Sequence, residues 1–283
     1  MKRILAPLRG VTIRCFRETF AAEIAAAGFD EAVTPFITAV AGYDPLRDRE
    51  LRAAAAAGPL TLTPQFIGKD PTALGECLKR VRGAGFATAD LNCGCPYPMV
   101  RNKGRGSGLL RTPEVLERML ETGCRVMGEG AFSVKARLGV ERPDELLSLM
   151  PVFNRYPLRF LAVHGRLAKQ MYEGGCDRGA VEAVRAAAKM PVILNGDLDT
   201  GAEVPPGFAG VMIGRDFVRS LGARSDAQAL LVRYAAASRT ELCGDRPVLG
   251  RLKELLSYWK ELPYWRNRWS YLKLARSVDE LCG

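Results

Sequence analysis

Two short stretches decide the fold of this chain: PVILNGD at residues 191–197 and GVMIGR at residues 210–215. Each is an apolar run that ends in glycine beside a charged residue. Short apolar runs without polar alternation are typical of strands buried on both faces, as in a parallel sheet. Six similar runs precede them, so the sequence predicts eight strands, over residues 3–7, 31–34, 60–66, 88–92, 131–137, 158–164, 191–195 and 210–213.

Amphipathic segments separate these strands and are predicted to be helices. Several begin at proline or aspartate and end near glycine, as helices commonly do. An open doubly wound sheet would give the same alternation, but no GxGxxG motif follows the first strand. We therefore predict a TIM (β/α)8 barrel over residues 1–222. Its predicted helices cover residues 15–27, 71–85, 113–127, 144–156 and 179–189.

After residue 222 the strand pattern stops and only helical patterns remain. We predict a small all-helical C-terminal domain over residues 223–283, with helices at 226–242, 249–260 and 265–281. All three tryptophans of the chain lie there, at positions 259, 265 and 269. Because buried aromatic residues supply much of a small core, we expect these tryptophans in the core of the domain.

The composition favours a globular protein with a polyanionic partner. A net charge of +10 over 283 residues fits RNA, because each phosphate contact replaces a counterion with Lys or Arg. Many basic proteins bind no nucleic acid, so charge alone does not decide the matter. The first residues lack the apolar region of a signal peptide, and no window resembles a membrane span. We therefore expect a cytoplasmic, monomeric protein without a membrane segment.

Metal chemistry is not predicted. The eight cysteines include no CxxC pair, and His164 is the single histidine. These numbers exclude a zinc ribbon and a Cys2His2 finger, and they leave most acid and base chemistry to other groups.

Polar residues follow most of the predicted strands at their carboxyl ends. In a TIM barrel these ends lie on one face, where the functional residues are found. Any one of them could be an ordinary strand-end residue, but folding alone requires no such series. The series therefore predicts a site, which comprises Pro7, Gln65, Asn92, Cys93, Gly94, Cys95, Lys135, Arg137, His164, Arg166, Asn195, Gly196, Asp197, Gly214 and Arg215.

The loops after the last two strands favour a phosphate. Asn195, Gly196 and Asp197 follow the seventh strand, and Gly214 and Arg215 follow the eighth. Backbone amides and an arginine can hold a dianion at this end of a barrel. Either loop alone could be a tight turn, whereas the two together favour a phosphate site.

Two cations, Lys135 and Arg137, point the same way from the otherwise apolar fifth strand. Their burial is costly unless an anion accompanies them. A reduced flavin would supply negative charge around its N1 and C2 carbonyl. The alternative is that a neighbouring barrel carboxylate pairs with Lys135.

A thiol follows the fourth strand in the segment DLNCGCP at residues 90–96, ahead of the glycine-rich residues 104–108. At an ordinary pKa of about 8.5, Cys95 is mostly protonated at neutral pH and can donate a proton. A nucleophile would need a nearby base, and the single histidine belongs to another strand. We predict that Cys95 is a general acid, although most cysteines are buried structural residues.

In chain order these segments resemble the tRNA-dihydrouridine synthase family, and the cysteine loop is the most specific part of the match. The helical tail is similar more weakly, through Arg251 and Lys253 ahead of Tyr258. The barrel segments that carry the resemblance are 6–8, 64–66, 90–96, Val100, 104–110, 134–139, 164–166, Gln170, Tyr172, Gly174, 195–197 and 211–215.

The resemblance implies a bound FMN that is reduced by NADPH or NADH and delivers hydride to C6 of a uridine in the tRNA D-loop. Cys95 would protonate C5. The uridine must be flipped out to reach the flavin, so the helical domain would hold the rest of the tRNA. The implied FMN contacts are Pro7, Leu8, Gln65, Lys135, His164, Asn195, Gly196, Asp197, Gly214 and Arg215. The implied substrate contacts are Asn92, Arg137, Arg166 and Tyr172 for the base, and Arg251 and Lys253 for the RNA.

The chain departs from the family pattern in three places. Leu8 stands for methionine, residues 176–178 read CDR instead of ADW, and Asp216 replaces a small residue after Arg215. Three other functions remain open at this point. They are an FMN-dependent reductase of a free pyrimidine or other small molecule, a non-catalytic RNA-binding barrel, and an aldolase with Lys135 as its Schiff-base residue.

Overall fold

The computed structural model describes residues 1–52 and 60–283. Ten parallel strands form one sheet in the order β3-β5-β6-β7-β8-β9-β10-β1-β2-β4. In chain order they are β1 (Lys2–Leu5), β2 (Glu31–Val33), β3 (Ile37–Thr38), β4 (Thr61–Thr63), β5 (Gln65–Ile67), β6 (Ala89–Cys93), β7 (Phe132–Gly139), β8 (Leu161–Leu167), β9 (Val192–Asn195) and β10 (Gly210–Ile213).

The strand order ends at β3 on one side and at β4 on the other, and these two strands continue neighbouring chain segments that already pair with each other. The sheet therefore closes into an eight-stranded barrel. β2 and β3 are successive parts of one extended segment, and β4 and β5 are parts of another. β2 pairs with β4 while β3 pairs with β5. Pro64 separates β4 from β5 because it has no N–H to donate to the ladder. The TIM-barrel prediction is confirmed, with the predicted strand 60–66 divided at this proline.

The helices largely follow the predicted segments, and three predicted helices are each divided in two. One break lies at Phe20 and another at Leu149, just before Pro151, whose ring disfavours a continuous helix. None of the helices in the described ranges is long and apolar enough to cross a membrane. The helices are α1 (Arg14–Thr19), α2 (Ala21–Ala26), α3 (Pro71–Gly83), α4 (Pro98–Arg101), α5 (Pro113–Met127), α6 (Glu145–Ser148), α7 (Met150–Phe153), α8 (Arg178–Ala187), α9 (Arg215–Gly222), α10 (Ala227–Glu241), α11 (Asp245–Trp259), α12 (Pro263–Leu272) and α13 (Val278–Cys282).

The interior of the barrel is apolar on one side and polar on the other. Alternate residues of a strand face the same side, so each strand contributes every second residue to the interior. One side holds a separate apolar cluster of Ile4, Ala6, Val33, Phe160, Ala162, Ile193 and Met212. The other side holds the buried polar residues Glu31, Thr63, Gln65, Asp90, Asn92 and Ser133. The polar residues on this side continue toward the carboxyl ends of the strands.

The tail helices α10 and α11 pack on the last barrel helix, α9, while α12 packs on α11 and α13 packs on both α10 and α11. Trp259 and Trp265 are fully buried, and their indole N–H groups donate to the carbonyls of Val218 and Gly222 at 2.7 and 2.9 Å. One hydrophobic cluster continues from the barrel helices into the tail. The expectation of core tryptophans is confirmed for these two, whose partners lie in the barrel helix α9. Trp269 is only partly buried against the same cluster.

Candidate active site

A cavity of about 320 Å³ opens at the carboxyl ends of the strands. This size lies in the range of small-molecule sites. Most of the predicted site residues line it, namely Pro7, Leu8, Asn92, Cys95, Lys135, Arg137, His164, Tyr172, Asn195, Gly196, Asp197, Gly214 and Arg215. Gln65 and Arg166 lie behind the lining residues, and Arg251 and Lys253 lie on α11 in the tail.

The backbone of Cys95 is held from both sides. Its N–H donates to the Asn92 Oδ1 at 2.8 Å, and its carbonyl accepts from the Ser107 hydroxyl at 2.9 Å and from the Ser107 N–H at 3.2 Å. Gly106 permits this close approach: its φ is +57°, and a Cβ there would lie 2.8 Å from the Cys95 Cβ. The glycine-rich segment therefore fixes the thiol against the cavity.

The Cys95 thiol is in its protonated form at neutral pH. Burial raises its pKa above the ordinary value, and the nearby charges of Arg9, Arg137 and Lys135 oppose that effect only in part. A raised pKa makes a poor nucleophile and preserves a proton donor. The environment of Cys95 thus agrees with the predicted acid role.

Gln65 positions the cysteine loop from one layer below the cavity. It is fully buried, its amide nitrogen donates to Asp90 at 2.7 Å, and its amide oxygen accepts from Asn92 at 2.8 Å. The other end of Asn92 then accepts from the Cys95 N–H. Asp90 also accepts from the Ser133 hydroxyl at 2.7 Å. A chain of hydrogen bonds therefore runs from the barrel interior to the thiol.

Lys135 lines the cavity, and its ammonium has no ion-pair partner within the described ranges. Burial, together with the charge of Arg137, lowers its pKa to about 8. Asp90, on the neighbouring strand, accepts from Ser133 and Gln65 instead, and no ion pair to Lys135 is found among residues 1–52 and 60–283. The alternative of a lysine paired with a barrel carboxylate is therefore wrong for the described part of the chain.

His164 is neutral in this environment. Burial and the charges of Lys135, Arg137 and Arg166 hold its pKa well below the ordinary value. Gly196 packs directly against it, with φ at +104° and a Cβ position 2.6 Å from the His164 Cδ2. A larger residue at 196 would displace the imidazole, so glycine here serves close packing as well as the turn.

Asp197, in the predicted phosphate region, forms ion pairs with two arginines. Its carboxylate accepts from Arg215 at 2.6 Å and from both terminal nitrogens of Arg166. Arg166 also donates to the Gly174 carbonyl. Arg166, predicted to contact the base, is thus engaged behind the cavity wall. Arg215 remains on the wall.

Tyr172 lies between two guanidinium groups. The Arg137 Cζ is 5.3 Å from its ring centre and the Arg215 Cζ is 4.8 Å from it, which is cation–π geometry. The ring is 42% exposed, so it remains accessible from the cavity. The structure therefore brings the predicted base contacts Arg137 and Tyr172 together with Arg215.

Asp216 is tied to a neighbouring loop. Its carboxylate accepts from both the N–H and the hydroxyl of Thr200, each at 2.7 Å. The N-cap residue of α9 is Gly214, so Asp216 lies within the first turn of that helix. The departure from the family pattern at this position has a structural partner, although the carboxylate still lines the cavity.

The lining carries an excess of positive charge. Five cations face three carboxylates, and His164 is neutral. The cations are Arg9, Lys135, Arg137, Arg215 and Arg219, and the carboxylates are Asp197, Asp199 and Asp216. An excess of two charges, with the unpaired Lys135 ammonium among them, fits a ligand that carries a dianionic phosphate.

The predicted RNA contacts of the tail both have partners within the protein. Arg251 donates to Glu241 at 3.0 Å and its side chain is only 10% exposed. The Lys253 ammonium donates to the carbonyls of Lys273 and Ala275 at 3.0 and 2.7 Å. RNA binding by these two residues stays a prediction. Within the protein, Arg251 bonds to the last residue of α10, and Lys253 bonds to carbonyls just after α12.

Several lining residues were absent from the predicted site. Arg9 follows the predicted Leu8 directly, Phe36 lies just beyond the second strand, and Tyr97 lies two residues after Cys95. Their positions after strands β1, β2 and β6 are the same signal that identified the other residues. They were missed because only polar groups adjoining the strand ends were considered.

Replacing Asp90 with Asn is expected to alter how stability depends on pH. Burial raises the pKa of Asp90 to about 6, above its ordinary 3.8. The folded state therefore binds a proton more tightly, so this residue favours folding below pH 3.8 and loses that contribution as pH rises through about 6. As pH rises from 4 to 7, the free energy of unfolding of Asp90→Asn should therefore increase by up to about 3 kcal/mol relative to that of the unmodified protein.

Urea unfolding of both proteins at several pH values measures this difference. Asn can keep the bond to Gln65, and the Ser133 hydroxyl can rotate to accept from its amide. A constant difference in unfolding free energy across the range would contradict the raised pKa.

A closed parallel barrel with a cationic cavity at its C-terminal face places this chain among the TIM-barrel proteins with a ligand site in the usual position. The model of the family "Dihydrouridine synthase (Dus)" matches residues 4–220. The chain belongs to the dihydrouridine synthase family.

Three curated relatives illustrate this membership. The probable tRNA-dihydrouridine synthase of Rhodobacter capsulatus is 29% identical over 75% of this chain and 66% of its own length. The tRNA-dihydrouridine synthase B of Pseudomonas aeruginosa is 30% identical, over 70% and 58%. The tRNA-dihydrouridine(16) synthase of Shigella flexneri is 31% identical, over 70% and 64%. The matched part of this chain thus spans less than two thirds of each of these relatives.

Solved structures agree on the barrel. The old yellow enzyme homologue from Zymomonas mobilis has a TM-score of 0.57 at 12% identity, covering 77% of this chain and 85% of that one. The old yellow enzyme from Trypanosoma cruzi has a TM-score of 0.55 at 13% identity, covering 81% and 88%. At such identities the similarity shows the fold alone.

Proposed function

We propose that this chain is an FMN-dependent tRNA-dihydrouridine synthase that reduces a uridine of the tRNA D-loop with NADPH or NADH. The observation that carries the proposal is that Cys95 and Lys135 line the same cavity, where burial raises the pKa of the thiol and Lys135 has no ion-pair partner among residues 1–52 and 60–283. Family membership supplies the reaction, and the cavity supplies an acid and a cation. A thiol and an ammonium are the two groups that this reduction requires from the protein.

The cavity offers contacts for each part of FMN. Lys135 would face the electron-rich side of the flavin ring, and Arg215 with the loops at Gly196 and Gly214 would hold the phosphate. When bound, the flavin supplies the hydride for C6 of the uracil. Arg215 can contribute because its partner Asp197 keeps the two contacts from Arg166.

The remaining residues would hold the base and complete the proton transfer. Cys95 Sγ would donate its proton to C5 of the uracil. Asn92 and Gln65 keep the cysteine loop in place, so the thiol does not depend on the substrate for its position. Arg137 and Tyr172 would contact the base, since both line the cavity beside each other.

The tail is the proposed RNA-holding part. Helix α12 exposes Tyr264, Arg268 and Tyr271, which are spaced so as to share one face of the helix. The Arg268 Cζ lies 4.4 Å from the Tyr264 ring centre. An exposed basic and aromatic face suits RNA phosphates and unstacked bases better than the engaged Arg251 and Lys253 do.

Deleting the gene is expected to remove dihydrouridine from one D-loop position of cellular tRNA. A nucleoside digest analysed by mass spectrometry measures the total, and sequencing of the reduced position locates it. Re-expression of the chain should restore the nucleoside, whereas re-expression of the Cys95→Ala variant should not. An unchanged level of dihydrouridine in the deletion strain would contradict the proposed substrate.

One observation favours a different function. A lysine whose pKa is about 8 is partly neutral at physiological pH and could form a Schiff base, as in an aldolase. The purified protein decides between the two. A yellow protein with bound flavin supports the reductase, and a colourless protein inactivated by borohydride with an aldehyde or ketone supports the aldolase.

A further inference from the structure

We propose that Arg9, Phe36 and Tyr97 form a second nucleotide subsite, which holds the base adjoining the uridine that is reduced. The inference rests on the proposed function for the identity of the RNA. All three residues line the mouth of the cavity, on the loops that follow β1, β2 and β6.

Arg9 and Phe36 form a stacked pair at this mouth. The Arg9 Cζ lies 5.3 Å from the centre of the Phe36 ring. Arg9 is exposed and Phe36 is half-buried, so the ring is held by the barrel while the guanidinium faces solvent. A planar guanidinium fixed on a ring presents a flat surface to a base and N–H donors to a phosphate.

Tyr97 supplies a second ring beside the catalytic cysteine. It lies two residues after Cys95, lines the same cavity, and is 42% exposed. Burial raises the pKa of Tyr97, the neighbouring Tyr172, Cys95 and Glu254 add to that effect, and the charge of Arg9 opposes it in part. Arg9, Tyr97 and Cys95 all line the same cavity. The exposed part of the Tyr97 ring is available to a base at the cavity.

This subsite adjoins the surroundings of Tyr172, which acts electrostatically on Tyr97 in the same cavity. Tyr172 itself contacts Arg137 and Arg215, on the side of β7 and β10. When a uracil lies beside Cys95, its sugar and phosphate must extend out of the cavity. The adjoining nucleotide therefore lies at the mouth. Arg9, Phe36 and Tyr97 provide a cation and aromatic rings there, which is the combination that binds single-stranded nucleic acid.

The test compares a UUU trinucleotide with UMP, using the full chain supplied with FMN and calorimetry as the readout. We expect the trinucleotide to bind about tenfold more tightly than UMP, and Phe36→Ala, Tyr97→Ala or Arg9→Ala to remove most of that difference. UMP affinity should not change in Phe36→Ala or Tyr97→Ala. Met99→Ala is the matched control, because Met99 is 72% exposed on the adjoining helix α4 and lies outside the lining.

Kinetics with whole tRNA give a second readout. A subsite that contributes equally to binding and to the transition state should raise KM for tRNA in the three variants and leave kcat unchanged. Equal losses of UMP and trinucleotide affinity would overturn the proposal, since the residues would then belong to the uracil site itself. Trinucleotide affinity as in the unmodified protein would also overturn it.

Failure of the proposed function would be recognised separately. The unmodified protein would then form no dihydrouridine in tRNA with FMN and NADPH. The binding comparison needs no turnover, so it still decides whether the subsite exists.

Discussion

Replacing Cys95 with alanine is expected to lower the rate of uridine reduction by about 100- to 10,000-fold, the usual contribution of a positioned general acid. The thiol is the proton donor of the proposed reaction, and burial keeps it protonated at neutral pH. Flavin binding should persist, because the proposed flavin contacts lie on other strands. The measurement is single-turnover reduction of tRNA by enzyme with prereduced flavin, which separates this step from NADPH oxidation.

Cys93→Ala is the matched control for this experiment. Cys93 is two residues away and fully buried at the end of β6, where burial raises the pKa of its thiol strongly. Its loss should cost some stability through a small cavity and leave the single-turnover rate unchanged. Two outcomes would contradict the assignment of Cys95. One is an unchanged rate in Cys95→Ala, and the other is an equal loss in both variants.

The barrel could be predicted because its strands are short and most of their residues are apolar. A strand buried on both faces has one simple signature, and eight such runs in alternation with helices leave few folds. The breaks inside the predicted elements were less visible. Pro64 divides a strand, and Pro151 follows the division of a predicted helix, because each removes a backbone donor that its element would use.

The residues of the site could be predicted from one geometric rule, whereas their partners could not. Parallel strands end on one face, so Lys135, His164 and Asn195 had to meet. The sequence does not show that Gln65 bonds to Asn92 instead of reaching the cavity, or that Asp197 binds Arg166. Such pairings depend on distances between loops and strands that are far apart in the chain.

Replacing Arg159 with methionine is expected to lower the free energy of unfolding by about 3–5 kcal/mol, the usual cost of breaking a buried ion pair. Arg159 lies at the opposite end of the barrel from the cavity, and it donates to both carboxylate oxygens of Glu31 at 2.7 and 2.8 Å. The Glu31 side chain is 3% exposed. Without Arg159 it keeps only the bond from the Thr63 hydroxyl. Urea unfolding measures the difference.

Arg155→Met is the control, since Arg155 pairs with Glu117 at the surface, where the two side chains are 56% and 32% exposed. Exposed pairs contribute about 0–1 kcal/mol, so this variant should unfold nearly as the unmodified protein does. The double variant Glu31→Leu/Arg159→Met should recover much of the loss, because it leaves no buried charge without a partner. If Arg159→Met is no less stable than Arg155→Met, the Glu31 carboxylate gains little from Arg159, and the buried pair does not stabilise this end of the barrel.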